Sequence, residues 1–268
     1  MDGPHSIPSG NPPGHQSHPG LKWFLVIIFV LIVVTGLIIA ASYLAHADQM
    51  GVSVVRMEGT IVTGNVDDGT SIGSEVVGKE LRNAADDPMV EAIVLRVNSP
   101  GGTPAGAEEI IRDLEYAKTK KPVVVSMGDM ATSAAYYVSA HADRIYADPD
   151  TFTAAVGVLW EFSDTSGWMK DQGYNETIVK SGARKDMGNP SRPLTTDEQA
   201  YAQQIVNESF NTFINDVTTQ RAIARSDIAD GRVIRGADAL KMNIVDQLGN
   251  LNDAIEGAKA LAQKRAGD

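Results

Sequence analysis

Two stretches of this 268-residue chain bring together residue types that do chemistry. Met130–Tyr137 reads MATSAAYY, where an apolar strand run ends and Ser133 opens a helix among small residues that let another backbone approach closely. A serine in that position is ordinarily a helix N-cap. As a nucleophile it would gain from the helix dipole, and the N–H of Ala134 could donate to a developing oxyanion. The second stretch, NSPGG at Asn98–Gly102, lies between a strand run and a capped helix. Paired glycines permit a sharp turn and leave backbone N–H groups bare for an anion, or they merely serve the turn. No Gly-Lys-Ser/Thr follows, so this is not a phosphate loop of the Walker type.

A serine nucleophile needs a base. The chain has 5 histidines, and only His141 falls in the globular part. On one helix it would stand about 12 Å from Ser133, out of hydrogen-bond reach, so it reads as a packing or surface residue. A Ser–Lys pair is the alternative, since burial favours the neutral amine. Lys170, Lys180 and Lys185 are the candidates. The last two lie in KSGARKD, Lys180–Asp186, and spacing does not choose between them. With no cysteine there is no disulfide, thiol nucleophile or Cys-built zinc site. The net charge of −11 argues against a nucleic-acid surface. Nothing calls for a cofactor or a metal.

The elements that must hold these residues alternate. Val52–Met57, Ala92–Val97 and Pro122–Met127 read as strands, with helices over Ser71–Ala85, Pro104–Lys118 and Ser133–His141. Further strands are expected at Arg144–Ala147, Val156–Trp160, Glu176–Lys180 and Ile244–Val245. Helices are expected at Thr165–Gln172, Gly236–Met242 and Asn252–Lys264. Thr195–Glu198 has capping-box form and opens a helix through Arg221. Such alternation implies an α/β layered fold with a mostly parallel sheet. Residues 1–21, rich in Pro, Gly, Ser and His, read as a disordered tail. Trp23–Ala45 carries no charge and is long enough to span a bilayer, which makes residues 22–46 a membrane anchor. A signal peptide cleaved after Ala45-His46-Ala47 is the rival. Lys22 places the tail in the cytoplasm and residues 47–268 outside.

From about Val52 to Leu261 the chain resembles signal peptide peptidase A in its half-length, single-domain form. NSPGG, MATSAAYY, KSGARKD, ADGRVIRG at Ala229–Gly236 and VDQLG at Val245–Gly249 fall in that family's order. The resemblance implies a crotonase-like fold related to the Clp protease subunit and a serine endopeptidase acting on cleaved signal peptides or other extended apolar segments. It assigns Ser133 as nucleophile and Lys185 as general base. The oxyanion hole would come from Gly101 or Gly102 with Ala134, and Thr103 and Pro104 would pair with an extended substrate. It also implies a homo-oligomeric ring, an octamer, in which Lys185 of one subunit serves Ser133 of the next. The chain departs from the family in two places. Ser133-Ala134-Ala135 stands where Ser-Gly-Gly is usual, and Ala154-Ala155 replaces a Gly-Ser whose serine holds the lysine. That task then falls to Thr153, Ser181 or water. A stomatin-partner protease with the same dyad and a non-catalytic ring-forming scaffold are the alternatives.

Overall fold

The computed structural model describes residues 23–24, 27–37 and 51–267. Residues 1–49 and 50–268 form two separate units. In the first, residues 23–24 and 27–37 are helical with apolar side chains exposed. Among the described residues no helix is long and apolar enough to cross a membrane. The expected tail, and the rest of the expected anchor, lie outside the described residues.

The second unit is built on seven strands. Five run in the order β1 (Val52–Glu58), β4 (Ala92–Ser99), β5 (Val123–Thr132), β6 (Arg144–Ala147) and β9 (Gln247–Leu248), all parallel. β7 (Phe152–Ala154) joins the far end of β5 in parallel and pairs antiparallel with β8 (Val233–Arg235). A separate parallel pair, β2 (Thr60–Val62) and β3 (Ser71–Gly73), stands beside the glycine turn.

The apolar runs of β4 and β5 need cover on both faces, as central parallel strands do. Alternation assigns the faces. Ile93, Leu95 and Val97 of β4, with Val123, Val125 and Met127 of β5, enter the larger core. That core also holds α1 (Ser74–Asp86), α2 (Pro104–Lys120) and α3 (Ala134–Ala140). Ala92, Val94 and Val124 turn the other way, onto Ala254 and Ala258 of the C-terminal helix α8 (Leu251–Gly267). Gly257 gives α8 its closeness, because a Cβ there would overlap the Tyr146 ring.

β5 carries a register shift. Val97 faces Met127 but Ser99 faces Ala131, so Gly128–Met130 bulge out of the ladder. The Asn98 side chain fills the bulge, accepting from Met130 N–H at 3.2 Å and lying against Gly128. Thr151 Oγ1 donates to the Gly128 carbonyl at 2.7 Å. A bulge bends the strand and re-aims the residues beyond it. Here β5 leaves β6, meets β7 and ends at Ser133.

Several expectations are corrected. Val156–Trp160 and Glu176–Lys180 are not strands. Leu159 and Val179 are 83% and 94% exposed, and β8 occupies the sheet edge that a strand here would need. Between β7 and α5 (Thr196–Arg221) the regular structure is one short helix, α4 (Ser166–Asp171). The last short strand falls at Gln247–Leu248 rather than Ile244–Val245, and residues 71–73 are strand before α1 begins. The capping box at Thr195 and Glu198 forms as read. Two short helices complete the unit, α6 (Arg225–Ile228) and α7 (Gly236–Lys241).

α5 ends on Ala222 at φ 50°, ψ 40°, a left-handed cap on a residue with a Cβ. Glycine adopts that conformation without the steric cost. Ala222→Gly is expected to raise stability by about 1 kcal/mol, read as a higher urea midpoint at unchanged slope. A lower midpoint would show that the cap is unstrained.

Candidate active site

Ser133 and the glycine turn meet at the carboxyl ends of β5 and β4, where open parallel sheets usually take their ligands. Ser133 has φ 53° and ψ −123°, a region that residues with a Cβ rarely enter. Its N–H donates to Ala154 O at 2.8 Å, and its carbonyl accepts from Tyr137 N at 2.9 Å. Its hydroxyl caps nothing and makes no hydrogen bond among the described residues. The plain N-cap reading therefore does not hold. Ala154 and Ala155, which hold Ser133 from behind, are left-handed themselves, at φ 61° and 49°.

Gly101 lies against this corner at φ +105°. A Cβ on it would stand 2.8 Å from Thr132 O and 2.9 Å from Ser133 Cβ. Its N–H is already spent on the buried Ser99 hydroxyl at 3.1 Å. Thr132 Oγ1 donates to Pro100 O at 2.9 Å and ties the turn to the end of β5. Gly102 differs. In its parallel bridge with Ile61 the ladder bonds run through Gly101 O and Thr103 N, at 2.8 and 2.9 Å. That turns the Gly102 N–H away from β2. Among the described residues, the N–H groups of Gly102 and Ala134 beside Ser133 are thus without a partner, and Gly101 is the turn-former. The Thr103 N–H goes to Ile61 O and its side chain caps α2, and Pro104 has no N–H, so neither N–H is free to pair with an extended peptide. Pro104 instead forms part of a cavity wall.

That cavity, about 470 Å³, opens on Ser133. Its walls include Gly102, Ala134, Tyr137, Val158 and Leu159, with Ser209, Thr212 and Phe213 of α5 opposite. Tyr137 and Phe213 pack with ring centroids 4.6 Å apart. Burial, followed by a hydrogen bond to Asp216, pushes the Tyr137 hydroxyl well above its usual range, so it stays protonated. The wall from α5 had a signal in the sequence, since Ser209 and Phe213 are four apart on one helix face. Nothing there said that this face met Ser133.

Lys185 is exposed on the segment before α5, outside the cavity lining, and makes no side-chain bond among the described residues. Within one chain it is therefore not brought to Ser133. Lys180 is committed elsewhere. Its amine donates to Ala183 O at 2.9 Å and to Asp186 at 2.5 Å. Arg192 binds Asp186 and Glu198 bidentately, holding the Asp186 carboxyl far below its ordinary range and Glu198 down at about 2. Through this network the Lys185 turn is fixed to the start of α5. Lys170 is exposed on α4. Thr153 cannot orient Lys185, because it is fully buried and donates to Ala131 O at 2.9 Å. Ser181 is exposed. His141 is no base for Ser133. It is buried, with Nδ1 2.9 Å from Glu115 and Nε2 3.1 Å from Asp216, and so links α2, α3 and α5. Among the described residues no cluster of His, Asp or Glu could hold a metal.

The family model for peptidase family S49 matches residues 115–265. The chain belongs to peptidase family S49. Several of its relatives bear protease names. A Methanocaldococcus jannaschii protein named as a protease is 38% identical over 179 residues, covering 66% of this S49 chain and 58% of that protein. Protease 4 of Haemophilus influenzae is 34% identical over 220 residues, covering 80% and 35%. The chloroplastic serine protease SPPA of Arabidopsis thaliana is 28% identical, covering 80% and 32%. The S49 chain thus spans about a third to three fifths of the length of these relatives. A solved structure, a mutant of the 1510-N membrane-bound stomatin-specific protease, superposes with TM-score 0.51 at 16% identity, covering 77% of this chain and 84% of that one. That likeness establishes the α/β fold.

Proposed function

We propose that this S49 chain is a membrane-anchored serine endopeptidase with a Ser133–Lys185 dyad completed between subunits. One observation carries the reading. A strained serine with an unbonded hydroxyl stands beside two unpaired backbone N–H groups, at the mouth of a largely apolar cavity. Lys185 of a neighbouring subunit, desolvated in the contact, takes the Ser133 proton. Ser133 Oγ attacks the scissile carbonyl, and the N–H groups of Gly102 and Ala134 receive the oxyanion. Lys185 returns the proton to the leaving amine. It then activates the water that releases the acyl group.

The exposed segment between β7 and α5 supports a contact between copies. It leaves Leu159, Trp160, Trp168, Tyr174 and Val179 in solvent, and such apolar surface on a soluble domain marks an interaction site. A head-to-tail ring, an octamer in this reading, would cover it. The exposed apolar helix of the first unit fits an anchor in a membrane, with residues 47–268 outside the cytoplasm. The substrates are cleaved signal peptides or other extended apolar segments close to that membrane.

Co-expression of Ser133→Ala and Lys185→Ala chains tests the shared site. Each variant alone is expected to be inactive. Mixed in equal amounts in a head-to-tail ring, about a quarter of the sites regain both groups, and hydrolysis returns to match. No recovery in the mixture would overturn the sharing. Full activity in either single variant would overturn the dyad.

A further inference from the structure

We infer that Glu108 makes this site prefer a lysine or arginine just before the cleaved bond, over a neutral side chain of the same length. The inference rests on the protease reading above and names the side chain that its cavity accepts. α2 and α3 both start at the reaction corner, α2 behind the glycine turn and α3 at Ser133. One turn along α2, Glu108 reaches the cavity from the same face as Pro104. One turn along α3, Tyr137 does so from the face of Ser133. Four residues of helix advance about 6 Å. A side chain entering beside the Ser133 hydroxyl therefore runs along apolar walls and meets Glu108, exposed at the rim of the cavity, about one helical turn away, within the span of a lysine stem of four carbons.

The chemistry at that point is one-sided. Among the described residues, Glu108 is the only formally charged one lining the cavity, and no lysine, arginine or histidine lines it. Glu108 makes no hydrogen bond or ion pair among the described residues. Tyr137 feels the Glu108 charge, and its hydroxyl is already engaged with Asp216 and remains neutral, so it does not offset the carboxylate. The Tyr137 and Phe213 rings pack on each other in the cavity wall and carry no charge to offset it. An apolar wall with an unpaired carboxylate at its rim complements a long aliphatic stem with a positive tip.

The test uses the full-length chain in detergent and peptides identical except at the residue before the scissile bond, which is lysine, norleucine or glutamate. Norleucine keeps the length and apolar stem and drops the charge. For wild type, kcat/KM for lysine over norleucine is expected to be roughly three- to tenfold, with glutamate poorest. Glu108→Gln is expected to bring that ratio to about one while norleucine turnover persists, and Glu108→Lys to favour glutamate over lysine. Persistent norleucine turnover shows that the variants are folded and catalytic. A lysine-to-norleucine ratio unchanged in Glu108→Gln overturns the assignment of Glu108 and leaves the protease reading intact. A wild type that cleaves none of the peptides, or cleaves them equally well as Ser133→Ala, removes the protease reading and this inference with it.

Discussion

Ser133→Gly is expected to abolish peptide hydrolysis and to make the domain more stable. The loss follows from removing the proposed nucleophile, and losing the nucleophile costs a serine protease at least about a thousandfold in kcat. The gain follows from the backbone. Ser133 is held at φ 53°, ψ −123° by its N–H bond to Ala154 O and by the start of α3. A residue with a Cβ in such a region costs about 1–3 kcal/mol. Glycine enters it freely and gives back part of the gain through its looser unfolded chain. The net expectation is about 1 kcal/mol of added stability, or roughly 2–4 °C in Tm for a domain of this size. Ser133→Ala keeps the Cβ and the strain, so it should lose activity with no such gain. Chemical denaturation of wild type, Ser133→Ala and Ser133→Gly separates the two effects. Equal midpoints for all three would mean that the corner stores no strain.

Gly102→Ala should damage both the stability and the activity of the site. A Cβ there would overlap the Ile61 carbonyl and come within 2.6 Å of Ile61 N. These are backbone atoms of a ladder and cannot swing aside. The bridge between β2 and the glycine turn would open, at about 3 kcal/mol. The molecules that remain folded would present a displaced N–H to the oxyanion, for a further loss of about 10²–10³ in kcat. Gly167→Ala is the matched control, since nothing lies within 4 Å of its added Cβ. If Gly102→Ala keeps wild-type kcat at wild-type stability, Gly102 does not form the oxyanion hole.

The strand runs of β4 and β5, the capped helix after Thr103 and the capping box at Thr195 were legible because each is decided by neighbours in sequence. Ser133 and the glycine turn were legible as residue types in the right setting. The features that stayed hidden were set by long-range partners. That Ser99 takes the Gly101 N–H and leaves Gly102 free depends on a hydroxyl orientation inside the turn. Asn98 looked like part of a loop motif, yet it binds Met130 in a bulge, 32 residues away. Thr153 was a plausible support for Lys185 until its burial in the β5–β7 ladder committed it to Ala131. The apolar residues at Val156–Trp160 and Glu176–Lys180 suggested strands. Periodicity carries no information on whether a sheet edge is vacant, and β8 fills that edge.

The split pairing of β5 has a consequence for the order in which the chain matures. The half that carries Ser133 is not braced by β4 alone. It leans on β7, and β7 is paired on its other edge with β8 and fastened through Ala155 N to Arg232 O. Those braces are encoded about a hundred residues after the serine. While the polypeptide is still being synthesised, the Ser133 hydroxyl therefore exists before the scaffold that aims it. Closing that distant pairing must come late, because long loops close slowly. In the protease reading proposed above, Ser133 would reach its working geometry only after the last third of the chain has folded.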